Sequence, residues 1–535
     1  MKIQTQPFTE SSNASLRAAE YTNDWPVVYI LENGTEAYVG ETFSAYSRLR
    51  QHKKDKRASR RELSKAHILI DEEFNRSAAQ DIESKLIQYM AADTLFTLQN
   101  GNGGLTNHNY FDREKYTAKF EVLWTHLQEL KLADKDLLQL RNLDLFKYSP
   151  YKALTPEQDE ISRRIKANIE SYWPATYLIN GDAGTGKSVL ATYLLKNLTQ
   201  SFSDRAFKCA LVVPMTSLRK TLKRVFSKVE GLSAGMVIGP NEVRGNHYDL
   251  LIVDEAHRLR RRKNLTAYGA FDKVNESFML GHEGTQLDWI LMSSDSQVLM
   301  FDENQTIMPG DIPLDTIKSL VVERYNLTSQ LRVAAGDDYI SFIDEILNAK
   351  PSSRKINSTG YDLRVFESGR EMVEAIREKD QKHGLARVVA GYAWDWKTGR
   401  GEQDYDIEVD GLRLIWNTET TDWVNSRNAI NEVGCIHTVQ GYDLNYVGVI
   451  IGSDLKYDEV NHRLVIDPAA YKDKKGKAGV EDAEVLQRYI INIYKTLLTR
   501  GIMGTYIYAV DPALNRYLSK QVSSALQNHK SKILR

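Results

Sequence analysis

Residues Thr176 to Ser188, TYLINGDAGTGKS, decide the fold. The apolar run Thr176-Tyr177-Leu178-Ile179 predicts a strand, and Gly181 to Ser188 spells G-x-x-x-x-G-K-S directly behind it. Glycines at 181, 184 and 186 let the backbone curl around a phosphate with its N–H groups facing inward, and a helix opening near Ser188 adds the positive end of its dipole. In such a loop, closed by Thr185 and Gly186, Lys187 reaches the β- and γ-phosphates of ATP and the Ser188 hydroxyl ligates Mg²⁺. A strand feeding a phosphate loop and then a helix is the opening unit of a parallel α/β sheet.

Downstream, Leu250-Leu251-Ile252-Val253 is a fully apolar strand closed by Asp254-Glu255-Ala256-His257. Asp254 is placed to hold Mg²⁺ through water, and Glu255 to polarise the water that attacks the γ-phosphate. The buried strand Ala210 to Val213 ends near Thr216 and Ser217 at a helix start, where hydroxyls and N–H groups meet phosphates. Val298 to Phe301 is a further strand, ending in the polar cluster Asp302-Glu303-Asn304-Gln305.

The bulk numbers set the frame. A chain of 535 residues holds several cores, and Lys+Arg 70 against Asp+Glu 71 makes any nucleic-acid surface a local patch. Two cysteines, Cys209 and Cys435, both inside apolar runs, exclude a disulfide framework or a cysteine zinc site and fit a reducing cytosol. With no secretory leader and no run long enough to span a bilayer, the expected place is the cytoplasm, with no membrane partner.

Met1 to Asn23 is polar and unpatterned, and is expected to be a mobile or loosely packed tail. Val27 to Leu31 and Ala37 to Gly40, joined through Asn33-Gly34, form a hairpin that brings Tyr29 near Tyr38. Tyr46 to His67 is expected to be a strongly basic helix, through Arg48, Arg50, Lys53, Lys54, Lys56, Arg57, Arg60, Arg61 and Lys65. A solvated helix face is the other meaning of such a run. Residues Tyr116 to Leu143 carry apolar positions at helical spacing and predict a helical connector.

The hairpin and basic stretch resemble the GIY-YIG endonuclease module, with Val27-Val28-Tyr29 at the first motif and Tyr38-Val39-Gly40 at the second. Val27 stands where the family has glycine, and the hairpin is shorter than usual. The resemblance implies that Arg48 is the catalytic arginine, that His52 joins it, that Glu83 in the Ala79–Met90 stretch is the single metal-binding carboxylate, and that Asn100 in LQNGNGG is the terminal asparagine. One carboxylate suffices for Mg²⁺, which keeps much of its hydration; a tyrosine orients the attacking water and a guanidinium stabilises charge on the phosphate. A module that only binds is the alternative.

The later motifs, taken as a series, resemble a superfamily 1 helicase core over about the last 390 residues. That resemblance implies that Gln158 reads adenine, Thr216 contacts nucleic acid, Gln305 senses the γ-phosphate, Arg332 and Arg500 are arginine fingers, and His437 and Gln440 of CIHTVQGYDLNYVGVIIG couple strand contact to the nucleotide. The spellings VVPMTSLRKTL, FDENQTI and YKTLLTRGI are similar to the Schlafen-like branch known in bacterial proteins. The insertion Asp454 to Glu484, with KDKKGK at its tip, is expected to be a solvated loop, an accessory nucleic-acid contact being the alternative.

The expected fold is therefore α/β: a polar tail over 1–23, a small mixed-sheet GIY-YIG module over 24–112, a helical connector over 113–147, and two tandem RecA-like parallel-sheet ATPase lobes over 148–345 and 346–535. The expected activity is an ATP- and Mg²⁺-dependent nucleic-acid motor joined to an endonuclease. By analogy it acts on foreign DNA, with DNA favoured over RNA; a second copy or a defence-system protein is the further partner considered. An ATP-gated RNase and an ATP-driven sensor are the alternatives.

Overall fold

The structure is a computed structural model that describes residues 1–17, 19–54, 62–100, 110–171, 174–350, 352–356 and 360–526. It is an α/β protein with an N-terminal mixed sheet and two parallel sheets. Contacts divide it into two units, one of Met1–Trp173, Ser188–Phe207 and Arg224–Met236, the other of Pro174–Lys187, Lys208–Lys223 and Val237–Arg535.

In the first unit, β1 (Lys2–Pro7), β2 (Asn23–Glu32), β3 (Glu36–Ser44), β4 (Lys65–Ile70) and β5 (Thr97–Leu98) form a sheet of order β1-β4-β2-β3-β5. Pairing is antiparallel except between β3 and β5. The β2–β3 turn uses Gly34 at φ +92°, where glycine costs little, while Asn33 Oδ1 accepts the N–H groups of Thr35 (3.0 Å) and Glu36 (2.8 Å). The Arg76–Asp93 helix, capped by Asn75 Oδ1 on Ala78 N (2.9 Å), packs Ile82, Leu86 and Met90 inward. The Arg113–Glu129 helix buries Tyr116, Phe120, Leu123, Trp124 and Leu127, the i, i+4, i+7 spacing of a packed face, and sets Phe120 against Tyr89 at 5.3 Å.

Two expectations fail in this unit. Residues 1–23 are not a tail: Lys2–Pro7 is the edge strand beside β4, with Phe8 and Leu16 buried behind it. Its half-exposed burial hid the alternation that marks a strand. The basic helix does not run from 46 to 67; it spans Ala45–Lys53, and KAHILI at Lys65–Ile70 becomes a buried strand because the sheet supplies its ladder bonds. Lys56, Arg57, Arg60 and Arg61 lie outside the described residues.

The second unit holds both parallel sheets. One contains β6 (Thr176–Gly181), β7 (Cys209–Val212), β8 (Val237–Ile238), β9 (Tyr248–Val253), β10 (Ser294–Phe301) and β11 (Glu323–Leu327), in the order β11-β6-β10-β9-β7-β8. The other contains β12 (Asp362–Val365), β13 (Ala386–Ala390), β14 (Ile407–Val409), β15 (Leu412–Trp416), β16 (Glu432–Gly434) and β17 (Leu444–Ile451), then, after the hairpin β18 (Leu455–Asp458) and β19 (Arg463–Ile466), β20 (Gly501–Ala509). Its order is β12-β20-β17-β13-β16-β15-β14, all parallel except the edge pair β14–β15. Apolar runs such as LLIV in β9 and YVGVII in β17 are buried on both faces, as helix-covered parallel sheets require.

The insertion is likewise not a solvated loop. Asp454 is buried and accepts from Tyr494 OH (2.5 Å), and Tyr471 is fully buried. At the tip, Asp473 Oδ1 accepts from Lys475 N (3.0 Å) and Gly476 N (2.9 Å), and Asn264 Nδ2 donates to the carbonyls of Lys475 (3.2 Å) and Ala478 (2.8 Å). The lysines that made the tip look solvated lie on a turn whose polar backbone is satisfied by neighbouring side chains.

Candidate functional site

Because β6, β9, β10 and β11 all run the same way, the residues that follow them emerge at one edge of the sheet. Gly181 to Lys187 leave β6 there, Asp254-Glu255 leave β9, Asp302 to Gln305 leave β10 and Gln330 follows β11. The loop has Gly184 at φ +90° and Gly186 at +80°. A Cβ on Gly184 would lie 2.1 Å from Gln330 Oε1, so both backbone conformation and close approach demand glycine. Thr185 Oγ1 donates to Asp182 O (2.9 Å), Gln330 Nε2 to Ala183 O (2.8 Å) and Leu331 N to Gly184 O (2.9 Å).

Lys187 Nζ is buried against the carbonyls of Gly181 (2.5 Å) and Asp182 (2.9 Å), with Asp302 Oδ2 at 3.4 Å. Asp302 Oδ2 also accepts from Gln305 Nε2 (2.6 Å), and Gln305 Oε1 accepts from Arg500 Nη2 (3.2 Å). Arg500, 1% exposed, further donates to Tyr442 O and Thr496 O at 3.3 Å each. A continuous polar chain thus joins the loop lysine to an arginine that follows the Ala483–Leu498 helix of the other sheet. Asp302 was not a sequence candidate; its position three residues before Gln305 was the only signal.

Asp254 and Glu255 are buried, and Glu255 is within electrostatic reach of Lys187 and Arg500. Glu255 sits in the left-handed region, φ +54°, a strained conformation for a residue with a Cβ, and its carboxylate lies 2.9 Å from His257 Nε2, at ion-pair distance. Burial alone pushes its carboxyl up, but His257, Lys187 and Arg500 outweigh that and hold it below the usual carboxylate range. A cleft of about 370 Å³ opens beside the loop, lined by Asp182, Thr185, Asn304, Thr328, Gln330 and Asp337 among others.

Four further predicted residues have the following surroundings. Arg332 has its Cβ beside the loop but turns its guanidinium into an ion pair with Asp443. Gln158 Oε1 accepts from Thr155 N (3.1 Å) while its own N–H donates to Thr155 Oγ1 (3.1 Å), the box that caps the Pro156–Glu170 helix. Ser188 follows Lys187 in the first turn of the Lys187–Ser201 helix. Thr216 is exposed at the start of the Thr216–Phe226 helix and accepts from Arg219 Nη2 at 3.3 Å.

His437 is exposed and meets Asp473 of the insertion at 3.1 Å, whereas Gln440 is 3% exposed and neither of its amide atoms finds a hydrogen-bond partner among the described residues. Such a group costs about 1–3 kcal/mol unless something pairs with it. Tyr442, which was missed, bonds Ser217 at 2.8 Å, with Thr221 3.0 Å from the same phenol, and so ties the helix after β7 to the segment after Gln440.

A second cluster lies on the N-terminal sheet. Tyr29 OH is 2.8 Å from His52 Nε2 and accepts from Arg48 Nε at 3.3 Å, while the Tyr38 ring lies 4.9 Å from that of His52. Tyr29 pairs with Gly40 across the strands, and a Cβ on Gly40 would come within 2.3 Å of the phenol oxygen. Burial first, and Tyr38 second, push the Tyr29 phenol above its ordinary range against the pull of Arg48. The Glu83 carboxyl is pushed up to about 7, by burial and then by Glu41. Asn100 bridges to Val39, accepting from its N–H (3.0 Å) and donating to its carbonyl (2.8 Å), which latches the end of the module to β3. Among the described residues no group of three His, Cys, Asp or Glu side chains converges to hold a metal, and no helix is long and apolar enough to cross a membrane.

Residues 174–511 match the family described as Schlafen group 3, DNA/RNA helicase domain. A Saccharomyces cerevisiae protein named as the uncharacterized protein YPL245W is 29% identical over 423 residues, covering 68% of this chain and 90% of its own. Among solved structures, a DNA replication initiation factor aligns with 16% identity over 38% of this chain and 54% of its own, at a TM-score of 0.21. A DEAD box protein from Methanococcus jannaschii aligns with 11% identity over 72% and 95%, at a TM-score of 0.26. This chain thus spans about half the length of the first of these structures, and scores so low carry no weight for the fold.

Proposed function

The chain belongs to the Schlafen group 3 DNA/RNA helicase family, and from that membership we propose that it is a nucleic-acid-dependent ATPase whose two parallel sheets work as RecA-like motor lobes around one nucleotide. The observation that carries this reading is the chain Lys187, Asp302, Gln305, Arg500, which brings residues of both sheets to one phosphate loop. The glycine cradle at 184, the buried cation of Lys187 and the buried pair Asp254-Glu255 fit a triphosphate with its divalent ion.

In this account Lys187 leaves the loop carbonyls for the phosphates, and Ser188 and Asp254 would hold Mg²⁺. Mg²⁺ bound there would supply charge neutralisation to the phosphates. Glu255, kept ionised by His257, orients and polarises the attacking water, and Gln305 holds Arg500 where charge grows on the γ-phosphate. Arg332 joins only when it lets go of Asp443. Strand contact at Thr216, His437 and Gln440 acts through the Ser217–Tyr442 bond and the backbone of Tyr442, to which Arg500 is hydrogen-bonded, so binding of a strand shifts the population of the competent site.

A second reading concerns the N-terminal module, and the Tyr29–His52 hydrogen bond favours it. We propose that this module is a GIY-YIG-like, metal-dependent endonuclease. Glu83 would hold the divalent ion, Tyr29 passes the proton of the attacking water toward His52, Tyr38 flanks both, and Arg48 stabilises charge on the phosphate. Incubating the purified chain with labelled single- and double-stranded DNA and RNA, with Mg²⁺, with and without ATP, tests both readings. Phosphate release that rises with nucleic acid supports the motor and strand scission supports the nuclease; absence of either rejects the corresponding part.

A further inference from the structure

The loop that leaves β13 carries three aromatic rings and two cations in nine residues: Tyr392, Trp394, Trp396, Lys397 and Arg400. Beneath them lies Trp416 of β15, fully buried, with Tyr392 stacked on it at 5.6 Å and 18°, Trp394 edge-on at 6.4 Å and Trp396 at 6.3 Å. The three upper rings are only half-buried. Trp394 and Trp396 are also packed closely against glycine backbone: a Cβ on Gly399 would lie 3.0 Å from Trp396, and one on Gly452 would lie 3.1 Å from Trp394. Rings fixed in this way offer faces without losing further conformational freedom on binding.

The aromatic run continues into the strand-contact residues. Tyr392 is 6.3 Å from His437, and its carbonyl accepts from Lys472 N (2.8 Å), next to the insertion tip where Lys474 is exposed. Of the neighbouring carboxylates, Asp473 is engaged by His437 and Glu402 by Arg400 at 3.5 Å, while Asp395 stands between the two tryptophans and offsets one of the loop's cations. The nucleotide chain from Lys187 to Arg500 uses none of these side chains.

We infer that the Tyr392–Arg400 loop is a base-stacking shelf for a single strand of nucleic acid, with Trp394 and Trp396 taking unpaired bases and Lys397, Arg400 and Lys474 facing the phosphates. The inference rests on the motor reading above and names the substrate form of that motor. Bases in a duplex are stacked on one another and have no free face, whereas every unpaired base, in DNA or RNA, has one, and the backbone charge that accompanies it suits lysine and arginine.

The test is fluorescence anisotropy of labelled oligo-dT, oligo-rU and a duplex on the full chain, with phosphate release measured in parallel. Trp394→Ala and Trp396→Ala are expected to weaken single-strand binding about 5- to 150-fold each, and Trp394→Phe and Trp396→Phe to keep most of it. The Lys397→Ala, Arg400→Ala double variant should reduce the salt slope on the single strands by about 1.4. Nucleotide binding and basal ATPase should stay at the wild-type level in all of them, which shows that the fold survives. Loss with both oligonucleotides supports a shelf that accepts either nucleic acid, and loss with one supports a shelf for that one. If the wild type binds single strands and the alanine variants bind them equally well, the shelf is wrong and the motor stands; if the wild type binds no nucleic acid and its ATPase ignores it, the motor reading itself has failed.

Discussion

Arg500→Lys separates charge from geometry at the candidate nucleotide site. The guanidinium reaches Gln305 Oε1 at 3.2 Å and the carbonyls of Tyr442 and Thr496 at 3.3 Å from three different nitrogens. An ammonium keeps the positive charge that helps hold Glu255 ionised, but it cannot present that planar fork. Loss of the single charge-assisted bond to Gln305, about 1.5–3 kcal/mol, sets a floor of roughly 10- to 150-fold on turnover. If the same guanidinium meets the γ-phosphate in the transition state, the loss rises toward about 10³- to 10⁵-fold. Single-turnover phosphate release gives the rate, a fluorescent nucleotide gives binding, and thermal unfolding checks the fold. The expected protein binds ATP, melts close to wild type and hydrolyses at least ~10-fold more slowly. Wild-type turnover with the fold intact would refute the role given to Arg500 and the polar chain that places it.

Three further outcomes follow from the same geometry. Glu255→Gln should still bind ATP and hydrolyse it at least ~100-fold more slowly, because the amide cannot polarise water as a carboxylate held by His257 does; phosphate release and nucleotide binding measured separately decide it. In the N-terminal module, Glu83→Ala and Arg48→Ala should both lose strand scission, but only Glu83→Ala should lose the response to Mg²⁺ in a metal titration, and undiminished cutting by Glu83→Ala removes the nuclease assignment. Asp454, raised to about 6 chiefly by burial, is more costly to ionise in the folded chain than in the unfolded one. That penalty is absent below the unfolded pKa of about 4 and complete above 6, where it amounts to about 3 kcal/mol. Asp454→Asn, which keeps an acceptor for Tyr494, should therefore resist urea better than wild type at pH 7.5 and equally at pH 4, and an equal gain at both pH values contradicts the assignment.

The strand ends were legible because a parallel sheet gathers its chemistry at one edge, so that each motif is a short contiguous spelling behind an apolar run: GDAGTGKS after β6, DEAH after β9, DENQ after β10. The partners of those residues were not legible. Asp302 meets Lys187 across 115 residues and Ser217 meets Tyr442 across 225, and no local pattern marks such a pair. Arg332 was chosen by its order in the series, but rotation of one side chain toward Asp443 is decided by tertiary contacts. Gln158 shows a nearer conflict, since the Thr155-Pro156-Glu157-Gln158 text is also a helix cap and its side chain serves that cap. Lys2–Pro7 was missed because an edge strand half open to solvent has no two-sided apolar pattern, and the insertion because its lysines suggested solvent while Asp454, Tyr471 and Asp473 anchored it.

The most direct test of the central claim is steady-state phosphate release by the full chain as single-stranded DNA and, separately, single-stranded RNA are titrated in, with Lys187→Ala as the blank. The account predicts a saturable rise in turnover with at least one of them, absent in Lys187→Ala, because strand contact through Gln440 and Tyr442 completes the site that Arg500 enters. A wild-type rate that is the same at every concentration of both nucleic acids would contradict it.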